Sequence, residues 1–200
     1  VYMSSEFWDD RYGDSEYAYG TDPNVYFKSF IDSNTPGKLL LPGEGEGRNA
    51  VYAALKGWEV YAVDQSRAGM DKAKKLAEIN NVKIDYQVQD LSSCEPDVDA
   101  YDAIALIFLH LPPQVRDGIH QKLTSMLKPG GLLLVEAFSK AQLGRNTGGP
   151  PVLEMLYDEV VLRNDFSELN ILELYETIEE YTEGAYHEGE AAVIRMIARK

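Results

Sequence analysis

The chain has 200 residues, 19 basic and 33 acidic, for a net charge of −14, with three histidines and one cysteine. At 44% apolar and 10% aromatic it can fill the core of one domain, and its longest apolar runs, 103–109 and 132–135, are far too short to span a membrane. A balance this acidic repels phosphate backbones and excludes long nucleic acid as an expected partner, while a lone Cys94, with no basic-then-apolar opening segment, fits a reducing cytoplasm.

In chain order, residues 4–12 and 24–31 read as two short helices separated by a Gly- and Tyr-rich connection, packing over the C-terminal edge of a sheet. Residues 38–137 then alternate short apolar runs with amphipathic stretches, the pattern of strand, helix, strand units around a parallel sheet. Strands are expected at 38–41, 59–63, 84–88, 101–109 and 131–137. Helices are expected at 47–57, at 68–80, and after Pro112-Pro113, with Val115, Ile119, Leu123 and Met126 at helical spacing and Lys128-Pro129-Gly130-Gly131 as the stop. Residues 139–151, with Gly144, Gly148-Gly149 and Pro150-Pro151, read as a loop of 13 residues. A helix at 153–163 and a hairpin of strands at 171–181 and 191–199 complete the chain. Residues 154–190 hold twelve acids against Arg163 alone, expected to form a solvated face. The fold class predicted is α/β: a Rossmann-like, seven-stranded, mostly parallel sheet with an antiparallel last strand and helices on both faces. It forms a single domain, with cap helices at 1–36, a cofactor-binding core at 37–137, and a substrate loop, helix and terminal hairpin at 138–200.

Directly after the first strand comes Pro42-Gly43-Glu44-Gly45-Glu46-Gly47-Arg48, and the second strand ends in Val63-Asp64. Glycines let the backbone turn sharply and approach a ligand, the following helix presents unpaired N–H groups, and an acid at the next strand's end can accept from both hydroxyls of a ribose. The expected ligand is therefore an adenosine-bearing cofactor. The dinucleotide fingerprint wants Gly-x-Gly-x-x-Gly, and Arg48 stands where its last glycine would fall.

With this Gly-x-Gly-x-Gly spacing the chain resembles the class I S-adenosylmethionine-dependent methyltransferases. Gln89-Asp90-Leu91, Tyr101-Asp102-Ala103 and Leu127-Lys128-Pro129-Gly130-Gly131-Leu132 agree with it. Phe7-Trp8-Asp9-Asp10-Arg11-Tyr12 and Tyr19-Gly20-Thr21-Asp22-Pro23-Asn24 look like the small-molecule branch that includes tellurite-resistance and thiopurine-type enzymes. The resemblance implies S-adenosyl-L-methionine as cofactor, held by Gly43, Glu44, Gly45 and Gly47, with Asp64 and the adjacent Gln65 at the ribose. Asp90 would bind the adenine amino group, with Leu91 beside the ring; alternatively Asp90 caps a turn.

Trp8, Tyr12 and Tyr19 are candidates for an aromatic wall that attracts the sulfonium, with Tyr19 the better ligand contact; alternatively Phe7, Trp8 and Tyr12 form only the apolar stripe of a capping helix. The resemblance also marks a departure. An acid usually stands two residues before the first glycine, and here that residue is Leu41, so Glu44 or Glu46 would have to supply the counter-charge for the cofactor's ammonium.

Methyl transfer to an activated carbon runs largely on positioning, and no metal site is expected, because His110, His120 and His187 lack ligand-like spacing. His110, beyond the fourth strand, could orient or deprotonate a nucleophile, or merely pack there. Together with Tyr19 it is the catalytic candidate, while Arg145 and His187 are substrate-contact candidates and His120 has no expected role. The expected partner is a small methyl acceptor, a soft thiol, selenium or tellurium compound, turned over by a monomer or homodimer. Two alternatives stay open: a nicotinamide-dependent oxidoreductase and a non-catalytic S-adenosylmethionine-binding protein.

Overall fold

The computed structural model describes residues 4–200; the first three residues of the expected cap segment lie outside the described residues. The chain divides into two compact units, residues 4–94 with Glu183–Tyr186, and Glu95–Thr182 with His187–Lys200.

In the first unit, helix α1 (Ser5–Tyr12) starts at Ser4, whose hydroxyl accepts from the Phe7 amide at 3.2 Å. Asn24 caps α2 (Val25–Ser33) in the same way, accepting from Phe27 at 2.9 Å, and the helix buries Phe27, Phe30 and Ile31 at i, i+3 and i+4. Strand β1 (Lys38–Pro42) leads into α3 (Arg48–Leu55), β2 (Glu59–Asp64) into α4 (Arg67–Ile79), and β3 (Asp85–Val88) follows. The strands pair in parallel, Leu40 opposite Tyr61 and Val63 opposite Gln87, as crossover helices require. Ser66 starts α4 by accepting from Gly69 at 3.0 Å.

In the second unit, β4 (Tyr101–Ile107) is followed by α5 (Pro113–Met126), which opens on proline because the first turn needs no N–H from it. Strand β5 (Leu127–Phe138) runs parallel to β4. Helix α6 (Glu159–Asp165) is capped by Asp158, which accepts from Val161 at 2.8 Å. Strands β6 (Asn170–Thr182) and β7 (Glu188–Arg199) form the terminal hairpin, and β7 is antiparallel to both β5 and β6. The sheet order is β3-β2-β1-β4-β5-β7-β6, the Rossmann-like arrangement expected, with one antiparallel strand. Among the described residues no helix is long and apolar enough to cross a membrane.

Two local expectations fail for physical reasons. The helix expected over 153–163 is broken: a 3-10 turn covers Leu153–Met155, and α6 begins only at Glu159. Between them Leu156 and Tyr157 are pulled into the core, at 0% and 1% exposure, and Tyr157 bridges to Ser139, so this stretch is extended. Strand β5 starts at Leu127 and absorbs the Lys-Pro-Gly-Gly segment, because Leu127 pairs with Tyr101 and the Gly130 amide donates to Lys200. The loop expected after β5 is present, and it is anchored. Buried Gln142 accepts from the Ala192 amide and donates to Thr147 and Gly148, which ties the loop to β7.

At Gly47 the backbone has φ +89°, and a Cβ there would stand 2.5 Å from the Cβ of Ala73 on α4. Gly118, in contrast, lies on exposed α5 with open space where a Cβ would go. Gly47→Ala should therefore destabilise by about 2 to 4 kcal/mol, and Gly118→Ala should stabilise by about 0.5 to 1 kcal/mol. Urea unfolding of the two variants checks both signs.

Candidate cofactor site

Beyond β1, Gly43, Gly45 and Gly47 take φ values of +69°, +63° and +89°, a left-handed run that other residues adopt only under strain. The loop is held from beneath. The Gly43 amide donates to Val63 at 2.7 Å. Asp64 Oδ2 accepts from the Gly45 amide at 2.9 Å, and Tyr86 Oη donates to the Gly45 carbonyl at 2.6 Å. Asp64 Oδ1 accepts from the Ser66 amide at 2.9 Å. Burial raises the Asp64 carboxyl above the usual range, against the pull of the Ser66, Gly45 and Gln65 amides. A carboxylate offers about four acceptor sites, and with the Ser66, Gly45 and Gln65 amides on Asp64 it keeps capacity for about one further hydroxyl.

The two loop glutamates differ. Glu44 accepts from the Ala50 amide at 2.7 Å and so caps α3, a task that Gly47 at the N-cap has no side chain to perform. Burial pushes Glu44 up to about 8, although part of the residue reaches the surface. Glu46 is committed elsewhere: one oxygen accepts from the Ala18 amide at 2.8 Å and the other pairs with Lys72 at 2.7 Å. Leu41 is buried inside β1 and offers no charge. Among the described residues, Glu46 has a cationic side chain at ion-pair distance and Glu44 has none.

Above the loop stand aromatic rings. Trp8 stacks on Tyr12 at 5.5 Å between centroids, Tyr12 meets Tyr19 edge-on at 6.4 Å, and Tyr19 meets Tyr186 at 6.0 Å. Tyr12 is buried, and a Cβ on Gly45 would lie 2.7 Å from its hydroxyl, so the second glycine of the loop is required by this tyrosine as well as by its φ. Burial, with Asp64 nearby, holds the Tyr12 phenol protonated far above its usual range. Asp9 fastens α1 in place by accepting from the Ser66 hydroxyl and the Ala68 amide at the start of α4. Glycine backbone, a buried strand-end acid and aromatic faces fit the donor and acceptor pattern of an adenosyl sulfonium compound.

Residues 40–131 match the family model described as a methyltransferase domain. That segment, which includes the glycine run and Asp64, is similar to methyltransferase domains. The chain is similar to a protein of Arabidopsis thaliana named "Probable thiol methyltransferase 2", at 29% identity over 68% of this chain and 62% of that protein. It is also similar in structure to TehB from Haemophilus influenzae, with TM-score 0.74 and 20% identity over 98% of this chain and 66% of that one. A third likeness is to an S-adenosylmethionine-dependent methyltransferase from Methanosarcina mazei, with TM-score 0.70 and 18% identity over 90% of this chain and 98% of that one. The chain spans less than two thirds of the length of the first curated relatives it matches.

The other candidate residues fall in different settings. Asp90 is exposed and accepts from the Ser92 amide at 2.8 Å, the turn-capping geometry; Leu91 is half-buried in that turn, and Gln65 is half-buried after β2. In the second unit, His110 is buried with both ring nitrogens engaged, Nδ1 on the Met155 carbonyl at 2.8 Å and Nε2 accepting from the Phe138 amide at 3.2 Å. Burial lowers it to about 4. The neutral tautomer this fixes keeps no lone pair for a substrate proton, so the structure gives His110 a packing role instead of a base's. His187 is buried edge-on to Phe108 at 4.5 Å and Phe138 at 5.1 Å, and Arg145 is exposed in the loop after β5. His120 is buried against Phe166 with Nδ1 on Asp165 at 2.9 Å.

Sequence reasoning missed Tyr86, Asp9 and Tyr186. Tyr86 could have been found, since it is an inward aromatic on the strand beside Asp64; the other two act across long sequence separations and leave no local pattern.

Because the folded protein raises Glu44 from 4.5 to about 8, its protonated form is the one the fold favours. That stabilisation is fully present below pH 4.5 and is lost as pH rises toward 8. Glu44→Gln should therefore show a flatter melting temperature than the parent across this window, measured by calorimetry at stepped pH.

Proposed function

We propose that the chain is an S-adenosylmethionine-dependent methyltransferase acting on a small, soft nucleophile: a thiol, or a selenium or tellurium compound. The observation that carries the reading is the left-handed glycine run at 43, 45 and 47, with the buried Asp64 carboxylate bonded to its central amide. The thiol named for the Arabidopsis relative supports the acceptor class.

When bound, S-adenosylmethionine supplies a methyl group on a positively charged sulfur that departs as a neutral thioether. Asp64 would accept from a ribose hydroxyl, and the backbone of Gly43–Gly47 would hold the methionine portion. Glu44, within the loop, would face the ammonium in its ionised form, the role its missing counterpart at Leu41 would have filled. Tyr12, Trp8 and Tyr19 present faces that favour a sulfonium by about 0.5 to 2 kcal/mol. A thiolate needs no general base, which is consistent with a histidine at 110 that has no free lone pair. The 200 residues work as one methyltransferase domain in the cytoplasm, on a small-molecule acceptor and without nucleic acid.

Titration calorimetry with S-adenosylmethionine, S-adenosylhomocysteine, NAD(H) and NADP(H) tests the cofactor. Micromolar binding of the adenosyl sulfur compounds alone is expected, and preference for a nicotinamide would overturn the reading. Asp64→Ala should weaken adenosyl binding by about 1 to 3 kcal/mol, measured on variant protein whose melting curve shows it folded. Transfer of a radiolabelled methyl group to thiols, selenide or telluride tests the acceptor class, and exclusive transfer to oxygen or nitrogen compounds would sink it.

A further inference from the structure

Arg11 differs from the other arginines of the chain. Arg48, Arg116, Arg163 and Arg195 each meet a carboxylate, and Arg67, Arg145 and Arg199 are exposed to water. Arg11 is half-buried in the last turn of α1, and among the described residues no carboxylate pairs with it, in a chain with 33 acids. Its guanidinium carbon lies 3.9 Å from the centroid of Tyr186, 5.0 Å from that of Phe7 and 5.9 Å from that of Trp8. One terminal nitrogen donates to Tyr19 Oη at 3.1 Å.

This cage is built. Tyr186 arrives on a hairpin tip clamped three residues earlier, where Glu183 pairs with Arg48 at 2.9 Å and accepts from Asn24 at 3.1 Å. Gly184 lies so close to Ala18 that a Cβ would fall 2.4 Å from the Ala18 carbonyl oxygen. Ring faces offer a guanidinium attraction but take up none of its N–H groups as a carboxylate does, and those groups are what bind a carboxylate through two parallel hydrogen bonds. Among the described residues, one of its five donors is used, by Tyr19. The carbonyls ending α1 account for a cation in that turn, but not for withdrawing it from water among rings without an acid. Arg11 is also linked to the glycine loop through Tyr19 and Tyr12, whose hydroxyl overlies Gly45.

We propose that Arg11 is a carboxylate receptor, binding through its free N–H edge the acid group of either the cofactor's amino-acid end or the methyl acceptor. This rests on the methyltransferase reading for the identity of the ligands, and the experiment separates the two. Parent protein, Arg11→Gln and Arg11→Lys are titrated calorimetrically with S-adenosylmethionine, S-adenosylhomocysteine and 5′-methylthioadenosine, which lacks the carboxylate. In parallel, the Arg11 guanidinium resonance of labelled parent protein, assigned by its loss in Arg11→Lys, is followed by NMR on adding 3-mercaptopropionate or its uncharged amide.

If the cofactor supplies the acid, both variants lose about tenfold or more in affinity for the first two ligands and keep their affinity for methylthioadenosine. Lysine fails with glutamine because it keeps the charge without the paired donors. If the acceptor supplies it, adenosyl affinities are unchanged and the resonance moves with mercaptopropionate and not with its amide. Unchanged affinities and an unmoved resonance overturn the proposal. Should the parent bind no adenosyl compound, the methyltransferase reading fails, and the mercaptopropionate arm alone decides for or against Arg11.

Discussion

A single buried carboxylate, that of Asp64, organises the first unit. It accepts the amide of Gly45 on one oxygen and the amide of Ser66 on the other, so the end of β2 dictates both the course of the loop after β1 and the start of α4. Tyr86 takes the Gly45 carbonyl from the neighbouring strand. The two peptide groups of the loop's middle residue are thus held by two other strands, and an irregular glycine-rich segment becomes as fixed as the sheet beneath it. Desolvation disfavours the charged form of Asp64, and the amides aimed at it offset part of that cost.

The acidic excess is sorted by depth. Glu46 with Lys72, Glu183 with Arg48, Asp165 with Arg116 and Glu136 with Arg195 are inward ion pairs that remove bases from the surface. Such pairs add little net stability where both partners must be desolvated, yet removing one partner strands the other. Glu173, Glu176 and Glu180 remain exposed on β6. The acid-rich C-terminal quarter is therefore only partly a solvated face, since Asp165, Glu179 and Glu183 are all paired.

What could be read in the sequence follows from the range of the interactions. Apolar runs such as Leu39–Leu41 and 103–107, and glycines at fixed offsets after a strand, are local signals, and they located the sheet and the loop. The helix expected over 153–163 was misjudged because helical spacing within it competes with the burial of Leu156 and Tyr157 against residues far off in sequence. His110 had the right position for chemistry, but its hydrogen bonds to Met155 and Phe138 belong to tertiary structure. Trp8 and Tyr12 were open to two readings, stripe or ligand wall; their stacking, and the nearness of Tyr12 to Gly45, show that one ring can pack and face the loop together.

The hairpin tip carries a consequence for how the molecule is made. The first unit is discontinuous, residues up to Cys94 joined by Glu183–Tyr186. A nascent chain that has reached Cys94 holds Arg48 without its carboxylate and Asn24 without one of its acceptors, because both wait for Glu183. Closing this unit requires a contact across 135 positions, a separation that slows folding. Synthesis therefore delivers Arg48 and Asn24 well before Glu183, which leaves the half-made unit dependent on its own hydrophobic packing until the hairpin that carries Glu183 emerges.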